Sequence, residues 1–378
     1  MQKLFVSIDP GFDSLKVVAG GKTFKIPFSV QETDERKLTD YRIRNDFILY
    51  REPSGATYRV GSYARELIYE NKNQQNLDSQ MNIFYSESRF TSAEFLVGLR
   101  VALALALECC NINPNENPEI YLMVALPHAV RQKYAAAVVG NCAGHHKFSM
   151  VHGTKPEVNY EFVILENHVF TVSQTIAAII GETSDDNGNI NDERFFYLTN
   201  GPTLVLDGGY YTMGLVSVSK GGSVDDSMTE SDTNHAMKNV NIAIANAIKE
   251  HRPDVKHFQM EYLIQNEGKI RYMHEGKAAT IDLVQLREEK IQEVCSSLIE
   301  HLNEKYNNLL DFNYVLVAGG TGAAFYQQLF DYYTSTGISD AEHFLLASSE
   351  LMGQKYSIEY SIAIGAYKGL MGVADRAN

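Results

Sequence analysis

The sequence predicts an α/β protein built from two duplicated lobes with mixed β-sheets. The chain has 378 residues, more than one ordinary hydrophobic core holds, so two lobes of roughly 150–200 residues each are expected. Strand-like and helix-like segments alternate in both halves, which is the pattern of the α/β class. A hairpin-like segment around position 9 also recurs around position 207.

The first half is expected to hold alternating strands and helices around an inserted small subdomain at about 22–90. In chain order, the other predicted elements are strands at 4–8 and 15–19, a helix at 92–110, a strand at 120–125, a helix at 130–142, a strand at 161–165, a turn at 166–168 and a helix at 169–180. These elements place lobe I at 1–180.

A polar, loop-like stretch at 182–202 precedes the elements of the second half. Those elements are predicted as strands at 203–206 and 212–218, a helix at 232–251, a helix at 286–306, a strand at 314–317, a helix at 323–333 and a closing helix at 357–372. We expect lobe II at 181–356 and a C-terminal helix at 357–378 that completes lobe I.

The composition argues against several kinds of partner. The formal net charge is −14, and an acidic surface opposes direct binding to nucleic acid. None of the four cysteines form a C-x-x-C pair, so neither a zinc site nor a disulfide framework is suggested. Asp9 comes too early for a signal peptide, and the longest apolar run, near 95–107, is shorter than the roughly 20 residues of a membrane span. We therefore expect a cytoplasmic protein that contacts neither membrane nor nucleic acid directly.

The repeated hairpin is the most informative feature of the sequence. Residues 8–15 and 206–213 match as apolar, Asp, variable, Gly, aromatic, variable, hydroxyl, apolar. Either copy alone fits an ordinary Asp-x-Gly turn. Two matched copies, each opening one half of the chain, favour a shared function over coincidence.

Turns of this kind suit the binding of a polyphosphate. Backbone N–H groups can surround an anion, and glycine allows a close approach. Asp9 and Asp207 each stand at a strand end, where two carboxylates can hold Mg²⁺ through waters because Mg²⁺ dehydrates reluctantly. Lys16 adds one cation for the phosphates, and Gly214 stands at its place in the second copy.

Three motifs carry a family resemblance. They are Asp9-x-Gly11…Lys16, then Asp207-x-Gly209-x-x-Thr212, then Gly319-Gly320-Thr321. In order and spacing they resemble the phosphate-1, phosphate-2 and adenosine motifs of the actin, Hsp70 and sugar-kinase superfamily, and within it the plasmid-segregation actins of the ParM type in bacteria and archaea. The resemblance implies an actin-like (ribonuclease H-like) fold with a central nucleotide cleft.

The resemblance also implies a function. Relatives of this type bind and hydrolyse ATP, or GTP as the alternative, with Mg²⁺, assemble into homopolymer filaments, and move plasmid DNA through a DNA-binding adaptor protein. Asp9 and Asp207 are the implied metal-binding and catalytic acids. The implied nucleotide contacts are Gly11, Phe12, Asp13, Ser14, Lys16, Gly208, Gly209, Tyr210, Thr212, Lys238, Gly319, Gly320 and Thr321.

One further acid is implied to serve hydrolysis. Glu166 follows a predicted strand and precedes a predicted helix, the place where relatives carry an acid or amide that orients the attacking water. Gln174 is the second candidate for this role. The helix after the second hairpin, around Lys238 and Asn239, is an implied ribose or purine contact.

The sequence departs from the family pattern at three positions, and other functions stay open. Phe12 stands where many relatives carry Ser or Thr, and Tyr210 and Gly214 replace a glycine and an aspartate of phosphate-2. A small-molecule kinase of the same superfamily is one alternative, although no second catalytic Asp is apparent. A non-hydrolysing cytoskeletal scaffold is another, although the C-terminus lacks an amphipathic tether.

Overall fold

The computed structural model describes residues 2–34, 45–70 and 87–377. The chain divides into two compact units, Met1–Phe195 with Ser348–Asn378, and Phe196–Ala347. Within the described ranges, no helix is both long enough and apolar enough to cross a membrane.

The secondary-structure elements are named here in chain order. The strands are β1 (Lys3–Pro10), β2 (Ser14–Ala19), β3 (Lys22–Pro27), β4 (Val30–Glu32), β5 (Ile48–Arg51), β6 (Thr57–Val60), β7 (Glu119–Leu126), β8 (Gly144–His152), β9 (Val158–Ile164), β10 (Val169–Ser173), β11 (Thr203–Gly208), β12 (Met213–Val218), β13 (Val224–Asp232), β14 (Lys269–His274), β15 (Lys277–Asp282), β16 (Tyr314–Ala318), β17 (Phe344–Leu346), β18 (Glu350–Leu351) and β19 (Gln354–Lys355). The α-helices are α1 (Ser62–Glu70), α2 (Ala93–Cys109), α3 (His128–Cys142), α4 (Gln174–Thr183), α5 (Asp192–Thr199), α6 (Met237–Ala247), α7 (Met260–Asn266), α8 (Leu283–Lys305), α9 (Gly319–Ser335) and α10 (Ser361–Ala377).

The main sheet of the first unit has the order β10-β7-β1-β2-β3. Strands β1, β2 and β3 form an antiparallel meander, whereas β1, β7 and β10 are parallel. The apolar residues of β1 and β7 are buried in the core of this unit because helices cover the sheet. The carboxyl ends of the three parallel strands therefore lie at one edge of the sheet.

The sheet of the second unit repeats this plan. Its order is β13-β12-β11-β16-β17, with the same antiparallel meander and the same parallel strands. Reading β1, β2, β3, β7 and β10 as β11, β12, β13, β16 and β17 reproduces every neighbour and every direction. The duplication predicted from the hairpins is thus confirmed at the level of sheet topology.

A second sheet in the first unit has the order β4-β6-β5-β8-β9. The predicted insertion at 22–90 differs from this sheet at both ends. Strand β3 belongs to the main sheet, while β8 and β9, from 144–164, join β5 through pairs such as Ile48 with His152. Buried and exposed residues alternate along β9, so its apolar face packs on the same core as the strands before residue 90.

The unit boundaries fall at 195/196 and 347/348, whereas lobes were predicted to divide at 180/181 and 356/357. The reason lies in contacts made by the segment after α4. A Cβ on Gly188 would lie 2.2 Å from the Gly372 nitrogen, so this turn packs tightly against α10. The Met352 amide donates to Asp186 Oδ2 at 2.9 Å, which ties the β18–β19 hairpin to the same turn.

Three predicted elements are wrong. Residues 169–173 form β10 rather than the start of a helix, because Val169, Phe170 and Val172 pair with β7 and α4 begins only at Gln174. The predicted loop at 182–202 contains α5. The predicted helix at 232–251 is β13 up to Asp232 and then α6 from Met237, since Asp232 pairs with Met213 of β12.

Candidate functional site

The first hairpin turn places Asp9 beside Lys16. Their Cα atoms are partners across β1 and β2, and Lys16 Nζ lies 3.3 Å from Asp9 Oδ2. The Gly11 amide donates to the Asp9 carbonyl at 3.0 Å. A Cβ at Gly11 would lie 2.8 Å from Lys16 Nζ and 3.1 Å from the Ser14 carbonyl oxygen. A side chain here would displace the end of the Lys16 side chain and crowd the Ser14 carbonyl.

Asp9 is buried, with 2% of its surface exposed, and both of its carboxylate oxygens have donors. Oδ2 faces Lys16, and Oδ1 accepts a hydrogen bond from Gln174 Nε2 at 2.7 Å. Gln174 reaches this point because β10 runs parallel to β7 and β1, so all three strands end at the same edge of the sheet. Ser173 caps α4 by accepting from the Ile176 amide at 3.2 Å, which sets the start of the helix at Gln174.

The structural premise for Glu166 is wrong. Glu166 is exposed and lies in a short 3₁₀ turn before β10, not at a strand-to-helix junction. The five residues of β10 separate it from Gln174, and at about 3.3 Å per residue they span about 16 Å. Glu166 thus lies at the edge of the sheet opposite to Asp9, and Gln174 occupies the junction that was predicted for Glu166.

The remaining residues of the first turn have partners within the unit. Asp13 Oδ1 accepts from Arg65 Nη1 at 2.8 Å, and the Asp13 carbonyl accepts from Arg65 Nη2 and from the Phe28 amide. Ser14 is buried at the start of β2. The ring of Phe12 lies 3.8 Å from the guanidinium carbon of Arg89.

The second hairpin has the same strand register as the first and lies within the second unit. Asp207 pairs with Gly214 on β12 and with Ala318 on β16, so it stands at the carboxyl end of its parallel strands. The Gly209 amide donates to the Thr212 carbonyl at 2.9 Å and closes the turn.

The predicted adenosine motif meets this turn directly. Gly319 has a φ of +76°, which favours glycine, and a Cβ there would lie 2.5 Å from the Gly208 oxygen and 3.0 Å from Asp207 Oδ1. A Cβ on Gly208 would in turn lie 2.0 Å from the Gly322 nitrogen. Thr321 Oγ1 donates to the Gly209 carbonyl at 2.6 Å. The structure therefore brings together Asp207, Gly208, Gly209, Gly319 and Thr321, with exposed Gly320 beside them in the first turn of α9.

Lys238 also belongs to this cluster. Its backbone amide donates to the Tyr210 carbonyl at 2.8 Å, and its Nζ lies 3.9 Å from the centroid of the Tyr211 ring. Burial lowers the pKa of Lys238, and the charge of Asp232 acts in the opposite direction. The Asn239 side chain accepts from the Ala236 amide at 3.3 Å and so helps to begin α6.

Several residues that contact the two hairpin turns were not predicted from the sequence. Arg65 and Arg89 contact the first turn from outside the motifs, and Tyr211 lies at a variable position of the second motif. An arginine in a polar stretch carries no sequence signal of its own.

The donor set fits Mg²⁺ held through water. Within the ranges that the structure describes, no group of three or more His, Cys, Asp or Glu side chains could hold a metal ion directly. Asp9 already has one donor on each oxygen, which leaves lone pairs for water but little room for a bare cation. Mg²⁺ usually keeps several waters, so a carboxylate of this kind remains a suitable ligand.

Comparison with known proteins supports the fold. No protein-family model matches the sequence, and neither does any curated protein. Solved structures with a similar fold include a 15-stranded ParM filament from Clostridium botulinum, with a TM-score of 0.68 at 18% identity over 98% of this chain and 99% of that one. An archaeal actin homologue has a TM-score of 0.68 at 14% identity over 99% of each chain. The chain has an actin-like fold.

The actin-like fold extends over the full chain. Bacillus thuringiensis ParM with ATP matches with a TM-score of 0.62 at 13% identity over 100% of each chain. The predicted actin-like, ParM-type fold is therefore confirmed, including its duplicated sheets. At these identities the fold is the shared property.

Proposed function

We propose that this protein is an actin-like ATPase that assembles into filaments. The observation that carries the proposal is the pair of matched hairpins. In each, the first strand carries an aspartate near its carboxyl end, and the two sheets have the same strand order. Among proteins with the same fold, one is a ParM filament and another is a ParM with ATP.

Each hairpin contributes groups that suit a nucleoside triphosphate. In the first, Lys16 supplies a cation, and the turn at Gly11, Phe12, Asp13 and Ser14 supplies backbone N–H groups other than that of Gly11, which donates to the Asp9 carbonyl. In the second, the first turn of α9 at Gly319, Gly320 and Thr321 supplies the donors of a helix N-terminus, beside Gly208, Gly209, Tyr210 and Thr212. Lys238 adds a cation on α6.

Asp9 and Asp207 are the residues proposed to hold Mg²⁺ through its waters. When bound, the ion would neutralise charge on the phosphates of ATP or, as an open alternative, GTP. Asp9 is held in one orientation by Lys16 and Gln174, so its oxygens are positioned before any ligand arrives.

Gln174 is proposed to orient the water that attacks the terminal phosphate. An amide can donate to one partner and accept from another, and here the Nε2 donor is used by Asp9. Its Oε1 can accept a hydrogen bond from water and so position the attacking oxygen. Phosphoryl transfer is accelerated largely by positioning and electrostatics, so one oriented amide is sufficient chemistry.

The filament is proposed to serve the segregation of plasmid DNA in the cytoplasm through an adaptor. With a net charge of −14, direct binding to DNA is opposed, so a DNA-binding protein would form the link. Head-to-tail contacts that do not close into a ring produce open polymers of this kind.

One experiment tests the proposal on the full chain. Light scattering, sedimentation and phosphate release are followed with and without Mg-ATP and Mg-GTP. Nucleotide-dependent polymer with phosphate release supports it. Phosphate transfer to a sugar without polymer would indicate the kinase alternative, polymer without phosphate release the scaffold alternative, and neither polymer nor nucleotide use would refute the proposal.

A further inference from the structure

Arg89 is a buried charge against the first hairpin turn. It lies in the 3₁₀ segment Glu87–Thr91 and exposes 1% of its surface. Its Nη2 donates to the Pro10 carbonyl at 2.7 Å, and its Nη1 donates to the Gly11 carbonyl at 3.1 Å. Burying a guanidinium is costly, so a chain that retains one at this place needs its contacts.

The guanidinium also stacks on aromatic rings. Its central carbon lies 3.8 Å from the centroid of Phe12 and 4.5 Å from that of Phe90. Phe12 stands where the family resemblance leads one to expect a hydroxyl. In this chain the side chain at that position holds the arginine, so any contact of residue 12 with a phosphate falls to its backbone.

The two hydrogen bonds determine how the turn presents its amides. In a trans peptide group, the C=O and N–H point in opposite directions. The Gly11 carbonyl points at Arg89, so the Phe12 N–H points away from it. The Pro10 carbonyl accepts from the same guanidinium, so Arg89 restrains both peptide groups.

In the second hairpin, the equivalent carbonyl also accepts a hydrogen bond from a side chain, but from a different residue type. Gly209 occupies the place of Gly11, two residues after the aspartate, and its carbonyl accepts from Thr321 Oγ1 at 2.6 Å. Two unrelated side chains therefore hold the equivalent carbonyl in each copy. A shared requirement for the orientation of this peptide explains the coincidence better than local packing does.

We propose that Arg89 is a positioning residue for nucleoside triphosphate binding, because it holds the Pro10 and Gly11 carbonyls so that the Phe12 N–H is presented to a phosphate. This inference rests on the proposed function. It assigns the role of the expected hydroxyl at position 12 to a backbone amide that a distant arginine orients. The burial that keeps the guanidinium in place also lowers the pKa of Arg89 to about 9, while the charge of Asp9 favours the protonated form, so the group is charged at neutral pH.

The test compares Arg89→Met, Arg89→Lys and a control, Arg100→Met, in the full chain. Arg100 is a partly buried arginine on α2 of the same unit, and it pairs at 2.8 Å with Glu52, which directly follows β5. Calorimetry measures the affinity for Mg-AMPPNP, a non-hydrolysable ATP analogue, and for adenosine. Arg89→Met should weaken Mg-AMPPNP binding by roughly 10–100-fold, the scale of hydrogen bonds from a charged group. Adenosine binding should stay unchanged, and Arg89→Lys should be intermediate.

The possible outcomes distinguish failure of the Arg89 inference from failure of the proposed function. Wild-type protein that binds no nucleotide would refute the proposed function before any variant is compared. Folded Arg89→Met with wild-type affinity for Mg-AMPPNP would overturn the role of Arg89 alone. Equal weakening of adenosine and Mg-AMPPNP would also overturn it, since that is the result of a merely structural role.

A second measurement, on the wild-type protein, tests the proposal even if Arg89→Met does not fold. Wild-type protein labelled with ¹⁵N-phenylalanine is titrated with Mg-AMPPNP and with adenosine, and the Phe12 amide signal is assigned by its loss in Phe12→Tyr. A shift of this signal with Mg-AMPPNP, absent with adenosine, is the expected result. An unmoved Phe12 amide at saturating Mg-AMPPNP would overturn the proposal.

Discussion

Replacing Gln174 by alanine should separate nucleotide binding from hydrolysis. The Gln174 Nε2 to Asp9 Oδ1 hydrogen bond is 2.7 Å long and lies where Asp9 is 2% exposed. A hydrogen bond to a charged group contributes about 1.5–3 kcal/mol. Since Lys16 still faces the other oxygen at 3.3 Å, we expect the free energy of unfolding to fall by no more than this amount. Affinity for Mg-ATP should stay within a few-fold.

The effect on turnover should be much larger. A positioned acid or base contributes roughly 10²–10⁴-fold, and we expect loss of the amide that orients the attacking water to slow single-turnover phosphate release by up to that amount. If assembly follows ATP binding and disassembly follows hydrolysis, Gln174→Ala filaments should also persist longer in a sedimentation time course.

Glu166→Ala is the matched control, because Glu166 and Gln174 flank the two ends of β10. Glu166 is exposed at the opposite end of β10, so its loss should leave the hydrolysis rate unchanged. Single-turnover phosphate release at the wild-type rate in folded Gln174→Ala would refute the reasoning. A selective loss of turnover in Glu166→Ala would return that residue to the mechanism, against the geometry described above.

Four other changes have expected outcomes. Asp9→Asn and Asp207→Asn should each strongly reduce Mg-dependent nucleotide turnover. A double-mutant cycle of Mg-ATP affinities measures whether the two aspartates act on one nucleotide. Wild-type-like turnover in both variants would contradict their proposed role in holding Mg²⁺. Gly365→Val should destabilise the first unit by about 1–3 kcal/mol or more, because a Cβ there would lie 1.8 Å from the Ala177 carbonyl oxygen, whereas Gly140→Ala on α3 meets nothing within 4 Å and should not lower the midpoint of urea unfolding. Polymer yield in sedimentation should be no lower at about 0.15 M salt than at about 0.01 M, since salt screens the self-repulsion of a chain with net charge −14; a yield that falls with salt would count against this. Burial raises the pKa of Glu108, but hydrogen bonds from His152 and Lys155 outweigh burial and hold the pKa at about 2. The stability that ionised Glu108 contributes should therefore be lost as pH falls from about 4.5 to about 2. Glu108→Gln should remove that part of the acid unfolding curve.

The hairpins show which parts of the fold are readable from sequence. Asp9 and Asp207 stand in short local patterns in which turn residues and apolar runs specify the structure together, and the predicted strands match β1, β2, β11 and β12 to within a few residues. The order of strands in a sheet depends on contacts between residues far apart in the sequence, so it is harder to predict. The duplicated order could be predicted here because each hairpin begins an equivalent series of strands.

The choice between Glu166 and Gln174 could not be made from the sequence alone. The run Val169-Phe170-Thr171-Val172 is apolar enough for a buried helix, and a helix through it places Glu166 at the junction. Strand β7 decides otherwise by pairing with these residues over its whole carboxyl half. A short apolar run cannot distinguish a buried strand from a helix by periodicity alone, so the identity of the candidate hydrolytic residue depended on a tertiary contact.

The two hairpins share their strand register but not their charges. In the first, the aspartate faces Lys16 across the strand pair, and the turn carbonyl is held by a cation, Arg89. In the second, Gly214 stands opposite Asp207, and the carbonyl is held by a neutral hydroxyl, Thr321. The carbonyl two residues after the aspartate therefore accepts from a side chain in both copies, while the side chain that donates differs. Substitutions at equivalent positions should therefore differ in kind: those around Asp9 change the charge offered to a phosphate, and those around Asp207 change the packing of a turn against the start of α9.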